Sequence, residues 1–526
     1  MAAEAEPATG PEIIWPRRLN EERATQELAS DIANLIGPGD LVTLSGDLGT
    51  GKTTFARALI RLLTGDASLE VPSPTFLLMQ VYEGKTAPIV HADFYRIERP
   101  DDLVELGWDE ATEGAFVLVE WPERGGPLLG ADRLDIKFAL GADGAEEGGP
   151  HGSRMATVTG FGAFASRLAK AKAIQDVLDP AGWRGAQRHL MQGDASTRSF
   201  ERLVKDDGSS AVLMVAPRRP DGPPIRYGKP YSVIARLAED IRPFIAVDRG
   251  LRSFGFSAPE IYAFDLGAGV ILLEDLGVEP IVGDSGVDLD RYAWAASALA
   301  KLHAASLPDA LPVSDAETYR IPPYDLDALS IEVELLLDWY APHRARVQLS
   351  SGARAIFVNL WRQVLTEGLT TDLTWTLRDF HSPNLIWLAR REGAAQVGIV
   401  DFQDCVLGHP AYDVVSLLQD ARVDVPDPTE LKLLTHYARL RREARPSFDM
   451  GDFARAYAIL GAQRATKILG IFTRLDARDR KPHYLAHLSR VEKYLVKDLS
   501  HPILAELKVW YENNLPQIFM TASCGG

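Results

Sequence analysis

Leu41-Val42-Thr43-Leu44-Ser45-Gly46-Asp47-Leu48-Gly49-Thr50-Gly51-Lys52-Thr53-Thr54-Phe55 decides how the N-terminal part of this chain folds. The apolar run Leu41 to Ser45 reads as a strand, and Phe55 to Leu63 has helical spacing. Between them, glycines at 46, 49 and 51 let the backbone turn tightly and aim its N–H groups at phosphate oxygens, while the helix N-terminus adds positive potential. Lys52 is expected to reach the outer phosphates, and Thr53 to offer its hydroxyl to magnesium. The run Gly46, Asp47, Gly49, Thr50, Gly51, Lys52, Thr53 and Thr54 is therefore the expected ATP-binding loop of an α/β P-loop NTPase domain. The loop does not say which one, because the same cradle serves kinases, motors and switches.

Further strand-like runs ending in acids follow, Ile89-Val90-His91-Ala92-Asp93 and Ala115 to Glu120, and their alternation with helical stretches predicts a largely parallel sheet. The glycine-rich, charged stretch Gly141 to Pro150 reads as a loop inside this domain, since Met155 to Thr159 looks like another strand. A new helical pattern begins at Leu168, so the boundary is expected near Ala165: residues 1–165 and 166–526 form the two domains.

At 526 residues the chain exceeds what one core usually serves. Acidic residues outnumber basic ones by 17, which disfavours non-specific attraction to nucleic acid or an anionic membrane, so any link to RNA is expected to be indirect. The N-terminus lacks the basic start and apolar core of a signal peptide, and no long uncharged apolar run follows; a cytoplasmic, membrane-free protein is expected. Cys405 and Cys524 support neither a disulfide framework nor a cysteine zinc site.

Val71-Pro72-Ser73-Pro74-Thr75-Phe76, His91 to Ile97, Glu105-Leu106-Gly107 and Val119-Glu120-Trp121-Pro122-Glu123 follow the loop in that order. Together these motifs resemble the TsaE family, the bacterial ATPase subunit of the tRNA threonylcarbamoyladenosine machinery, over roughly Ile14 to Phe164. The resemblance implies that Glu120 helps to hold magnesium and that Thr25, in the first helix, lies near the nucleotide. It also implies TsaD-like and TsaB-like partner subunits that carry out the transfer to tRNA. On chemistry alone, Glu120 at a strand end can bind the ion, order water or simply face solvent. Asp93 and His91 could join the same site or satisfy backbone groups, and the proline-flanked Ser73 and Thr75 read as a switch-like segment or a rigid turn.

The second site is Arg378-Asp379-Phe380-His381-Ser382-Pro383-Asn384, followed by the apolar run Leu385 to Leu388, a turn, and Val397-Gly398-Ile399-Val400-Asp401. An Asp, an Asn five positions on and an Asp ending the next strand is the arrangement that eukaryotic-like kinases use. Asp379 would accept or orient the substrate hydroxyl proton, with Asn384 and Asp401 holding magnesium. His381 reads as a loop-packing histidine, and Asp413 in part as a helix cap.

With Gln192 to Phe200 and Val270 to Gly277, this loop resembles the aminoglycoside phosphotransferase superfamily over roughly Ser166 to Leu515. Within it the likeness is to the bacterial N-acetylmuramate/N-acetylglucosamine kinases. That implies an α+β protein-kinase-like domain, a phosphate-covering turn with Ser196 and Arg198, and a hinge beside adenine at Glu274 to Leu276. The strand Ala211 to Pro217 has no lysine where many kinases place the phosphate-pairing one. Arg198, Arg218 or Lys229 could substitute, or be solvated cations.

The resulting expectation is a bifunctional chain using ATP and Mg2+: an ATPase subunit for tRNA threonylcarbamoylation joined to an amino-sugar kinase. The alternatives are an aminoglycoside, choline or homoserine-like kinase substrate, or a nucleotide site that is only regulatory in an assembly module.

Overall fold

A computed structural model describes residues 13–97, 107–126, 129–140, 154–191, 198–218, 222–284, 286–369 and 373–524. The chain divides into two compact units that meet between Gly185 and Ala186. Among the described residues no helix is long and apolar enough to cross a membrane.

In the first unit, β1 (Ile13–Arg18), β2 (Leu41–Ser45), β3 (Met79–Tyr82), β4 (Ile89–Asp93), β5 (Phe116–Glu120), β6 (Arg133–Leu140) and β7 (Arg154–Phe161) form one sheet in the order β1-β7-β6-β2-β5-β4-β3. The pairings of β2 with β5 and β6, and of β4 with β5, are parallel, whereas those of β1, β3 and the β6–β7 hairpin are antiparallel. The sheet is thus mixed rather than largely parallel. Every residue of β4 and β5 is buried, as expected of central strands covered on both faces. Helices α1 (Glu22–Ala33) and α2 (Lys52–Thr64) bury Leu28, Ala29, Ile32, Phe55, Leu59 and Ile60 in one apolar core with Val42, Leu44 and Ile136.

The expected boundary at residue 165 falls inside a helix, Ala163–Leu178. This helix belongs to the first unit because Phe164 and Leu168 enter the same core. Arg167 Nη1 also donates to Asp40 Oδ1 at 3.0 Å, and Gln175 Nε2 to Asp31 Oδ1 at 3.0 Å. The stretch 141–150 read as a loop lies outside the described residues.

The second unit opens with β8 (Gln187–Met191), β9 (Ser199–Val204), β10 (Ser210–Val215), β11 (Ile261–Asp265) and β12 (Val270–Glu274), an antiparallel sheet ordered β11-β12-β10-β9-β8. Helix Arg242–Ser253 buries Phe244, Ile245, Val247 and Leu251 in a core shared with Met214, Ile271 and Leu273 of this sheet. A helical half follows, built around Leu289–Ala304, Leu326–Leu335, Ala411–Leu418 and the long Met450–Ala477. Between them run two short ladders, Thr374–Thr376 with Val406–Gly408 and Leu385–Trp387 with Val397–Ile399.

Candidate functional sites

In the first unit the chemistry gathers at the C-terminal ends of β2, β4 and β5, where open parallel sheets offer their ligand crevice. The loop glycines take positive φ: 127° at Gly46, 80° at Gly49 and 112° at Gly51. Any Cβ at Gly46 would collide with the Phe138 carbonyl, so backbone freedom and space both require glycine there. Register places Leu44 and Asp93 beside Glu120. Thr53 Oγ1 donates to Glu120 Oε2 at 3.0 Å, and His91 Nε2 lies 3.1 Å from Glu120 Oε1. Asp93 is held one strand away by Ser73 Oγ at 2.6 Å and Thr75 Oγ1 at 2.7 Å. The proline-flanked segment is therefore tied to the strand-end acids.

Lys52 Nζ donates to Gly46 O at 2.6 Å and Asp47 O at 2.9 Å, and sits 3.9 Å from the centre of the Trp121 ring. Burial pulls its ammonium below the usual lysine value, against the raising influence of Glu120 and Asp93. Thr50 Oγ1 donates to Asp47 O at 2.8 Å, bracing the turn. Thr25, buried on α1, lines a cavity of about 440 Å3 with Thr54, Arg57, Arg61 and Lys85, which runs along α2 from Thr54 to its C-cap Gly65. The structure thus brings Thr25 and Thr54 together. Trp121, directly after Glu120 in the sequence, joins this cluster through its ring contact with the Lys52 ammonium.

In the second unit a buried frame positions the loop from Arg378 to Asn384. Asp413 accepts from Leu377 N at 2.7 Å and Arg378 N at 2.8 Å, while helix Ala411–Leu418 has no side-chain cap. The helix-cap reading of Asp413 is corrected: its carboxylate braces the loop 35 residues away. Asp420 likewise accepts from Ser382 N at 2.9 Å. Arg378 pairs with the fully buried Glu332, which also accepts from Gln463 Nε2 at 3.1 Å and lies 3.0 Å from Lys467 Nζ. Arg378 and Asp401 hold left-handed φ of 68° and 60°, a conformation that costs on the order of 1–3 kcal/mol at non-glycine positions and persists where surroundings over-determine it.

Asp379 stands half-buried at the loop's tip, its Oδ1 3.8 Å from His381 Nε2. Burial pushes its carboxyl upward, but His381, Lys467, Arg378 and Arg464 outweigh this and hold it below the usual value, so it is ionised at neutral pH. His381 is buried, and its desolvation keeps the imidazole below its ordinary value. That suits packing better than proton transfer. Asn384 Nδ2 donates to Asp379 O at 3.0 Å, which commits the amide's donor end and leaves its oxygen to accept a cation. Val400 N donates to Asn384 O at 3.0 Å, setting Asn384 beside the residue that precedes Asp401. Asp401 Oδ1 accepts from Arg198 Nη1 at 2.7 Å and Gln403 Nε2 at 3.0 Å.

Glu274 accepts from Arg391 Nη2 at 2.7 Å and from Glu260 N at 3.1 Å, so its side chain is engaged in pairing at the strand exit. Leu276 packs close to Gly398, linking the expected hinge to the strand that leads to Asp401. Ser196 lies outside the described residues. The buried Cys405 thiol is pushed up by burial and is chemically quiet.

Comparison with known proteins bears on both constellations. A family model described as "Threonylcarbamoyl adenosine biosynthesis protein TsaE" matches residues 19–146, and one described as "Phosphotransferase enzyme family" matches residues 190–448. The N-acetylmuramate/N-acetylglucosamine kinase of Caulobacter vibrioides is 37% identical over 350 residues, 64% of this chain and 95% of that protein. The TsaE protein of Rickettsia typhi is 43% identical over 122 residues, 23% of this chain and 84% of that protein. The chain belongs to both families. A solved choline/ethanolamine kinase family protein from Mesorhizobium loti is 15% identical with a TM-score of 0.41, covering 66% of this chain and 98% of that one.

The chain is accordingly an enzyme, with a TsaE-type ATPase unit followed by a phosphotransferase unit. The TsaE unit offers a metal the Thr53 hydroxyl and the Glu120 carboxylate; the phosphotransferase unit offers the Asn384 amide and the Asp401 carboxylate. Among the described residues no group of three or more His, Cys, Asp or Glu is placed to hold an ion. One or two hard oxygen ligands per site fit magnesium, which usually completes its shell with phosphate oxygens and water. When bound, such an ion would neutralise charge on the transferring phosphate.

Proposed function

We propose that the chain is bifunctional. The first unit hydrolyses ATP in support of tRNA N6-threonylcarbamoyladenosine formation, working with TsaD-like and TsaB-like subunits. The second transfers phosphate from ATP to an amino sugar of the N-acetylmuramate/N-acetylglucosamine class. The Asp379, Asn384 and Asp401 constellation, in a unit that aligns with 95% of an amino-sugar kinase, carries the second assignment.

In this reading Asp379 is the catalytic residue, orienting the sugar hydroxyl and taking up its proton as the oxygen attacks the terminal phosphate. Asn384 and Asp401 hold magnesium, and the segment Glu274 to Leu276 borders adenine. In the first unit, Gly46 to Thr54 hold the phosphates, Thr53 and Glu120 the magnesium, and Thr25 faces the nucleotide.

Phosphate transfer from ATP is to be measured on a panel of N-acetylmuramate, N-acetylglucosamine, choline and aminoglycosides, with the wild type and Asp379→Asn. Transfer to the two amino sugars, reduced about 100- to 10,000-fold in the variant, is the expected result. Transfer only to choline or an aminoglycoside would replace the substrate assignment.

A further inference from the structure

On helix Met450–Ala477, Gln463, Lys467, Gly470 and Arg474 follow at intervals of four, three and four residues and so share one face. Gln463 and Lys467 reach the buried Glu332 from this face, and Gly470 lets the helix close on Leu335, whose backbone a Cβ there would strike. The Glu332 carboxylate is thereby filled: Oε1 takes Arg378 and Lys467, and Oε2 takes Gln463 and the Tyr324 hydroxyl. Lys467 and Arg378 are also among the cations that act on Asp379.

Arg474 lies two helical turns beyond Lys467, about 10 Å along the axis, and has no such partner. It is only partly exposed, its Nε is buried, and among the described residues its side chain makes no hydrogen bond or ion pair. Asp479, the carboxylate that acts on it, is held by Arg478 through Nε at 2.7 Å and Nη2 at 2.9 Å. What Arg474 meets is a ring: its guanidinium carbon stands 5.7 Å from the centre of Tyr231. Burial raises the Tyr231 phenol above its usual value, and Glu332, Lys467, Arg474 and Arg378 all act on it. Tyr231 thus joins Arg474 to the charged cluster around Asp379. A guanidinium that has lost water without gaining counter-charge is costly, and its planar fork matches a carboxylate.

We propose that Arg474 recognises the carboxylate of an acidic amino sugar whose reacting hydroxyl lies at Asp379, and so sets the acceptor preference of the kinase unit. The proposal rests on reading that unit as an amino-sugar kinase. N-acetylmuramate carries such a carboxylate on a short arm beside its ring, whereas N-acetylglucosamine has none. Ring and arm together match in scale the two turns between Lys467, whose charge reaches Asp379, and Arg474.

The test measures sugar phosphate formed by the full chain, so that ATP consumed by the first unit does not enter. KM and kcat are determined for N-acetylmuramate, its neutral methyl ester and N-acetylglucosamine, with wild type, Arg474→Gln and Arg474→Lys. In the wild type the KM for the acid is expected to lie about 10- to 100-fold below that for the ester, as one charged hydrogen-bonded pair predicts. Arg474→Gln is expected to erase this ratio, and Arg474→Lys, which keeps the charge without the fork, to restore part of it. Equal KM for acid and ester in the wild type, or the wild-type ratio persisting in Arg474→Gln, would overturn the proposal. Should Arg474→Gln fail to fold, the wild-type ratio and Arg474→Lys carry the same comparison. Phosphorylation of N-acetylglucosamine alone overturns the proposal and leaves the amino-sugar reading standing. Phosphorylation of neither sugar removes that reading and the proposal with it.

Discussion

Asp248 is 1% exposed on helix Arg242–Ser253, and its Oδ1 has no hydrogen-bond partner among the described residues. Burial pushes its carboxyl up to about 8, with Arg252 and Arg249 only partly opposing. The folded chain therefore keeps this proton to about pH 8, whereas the unfolded chain releases it near the ordinary value of 3.8. Between these limits the folded state binds more protons, so this group makes stability fall as pH rises. Asp248→Asn removes the cost of ionisation. Its gain in melting temperature over wild type is expected to be small near pH 5 and clearly larger at pH 8 or above, and an equal gain at both would refute the assignment. Such a group is invisible in sequence, where it is one aspartate on a polar-looking helix. The opposite holds for Asp379, Asn384 and Asp401, whose fixed spacing and flanking apolar runs made them legible. Asp413 and Asp420 were not legible as loop braces, because hydrogen bonds spanning 35 and 38 residues leave no local pattern.

Helix Ala163–Leu178 shows how an element can be read correctly and assigned to the wrong neighbour. Its helical spacing is plain from Leu168 to Leu178, and on sequence alone it opens the second domain, with the boundary expected near Ala165. Burial of Phe164 and Leu168 in the first unit's core, together with the Arg167–Asp40 pair, makes it part of the first unit. Fully burying an apolar side chain of this size contributes roughly 1.5–3 kcal/mol before conformational entropy is counted, a sizeable fraction of the roughly 5–15 kcal/mol net stability of a typical domain. A fragment ending at Gly185 is expected to unfold cooperatively by circular dichroism. One ending at residue 165 is expected to show no such transition, and cooperative unfolding of the shorter piece would place the boundary back at 165. The mixed sheet has a related cause. Period-two patterns announce strands but not partners, and the direction of β1, β3 and β7 follows from which edge each hairpin or crossover reaches.

Each unit carries its own nucleotide machinery, with its own sheet and its own core, and this predicts separable losses. Lys52→Ala is expected to lower ATP hydrolysis measured without sugar by at least about 100-fold, as removal of one preorganised charge stabiliser does, while amino-sugar phosphorylation persists. Loss of both activities in a folded Lys52→Ala chain would show the sites to be coupled. Sequence by itself pointed to the two candidate nucleotide centres, since a glycine loop between strand and helix and an Asp-to-Asn-to-Asp spacing are local chemical requirements written within a few tens of residues. Tertiary structure alone decided where the first unit ends, which carboxylates brace the Arg378–Asn384 loop, that Glu274 is engaged with Arg391, and that Arg198 is seated on Asp401. Those outcomes depend on the packing of segments far apart in the chain, where burial and charge pairing, not residue spacing, select the partner.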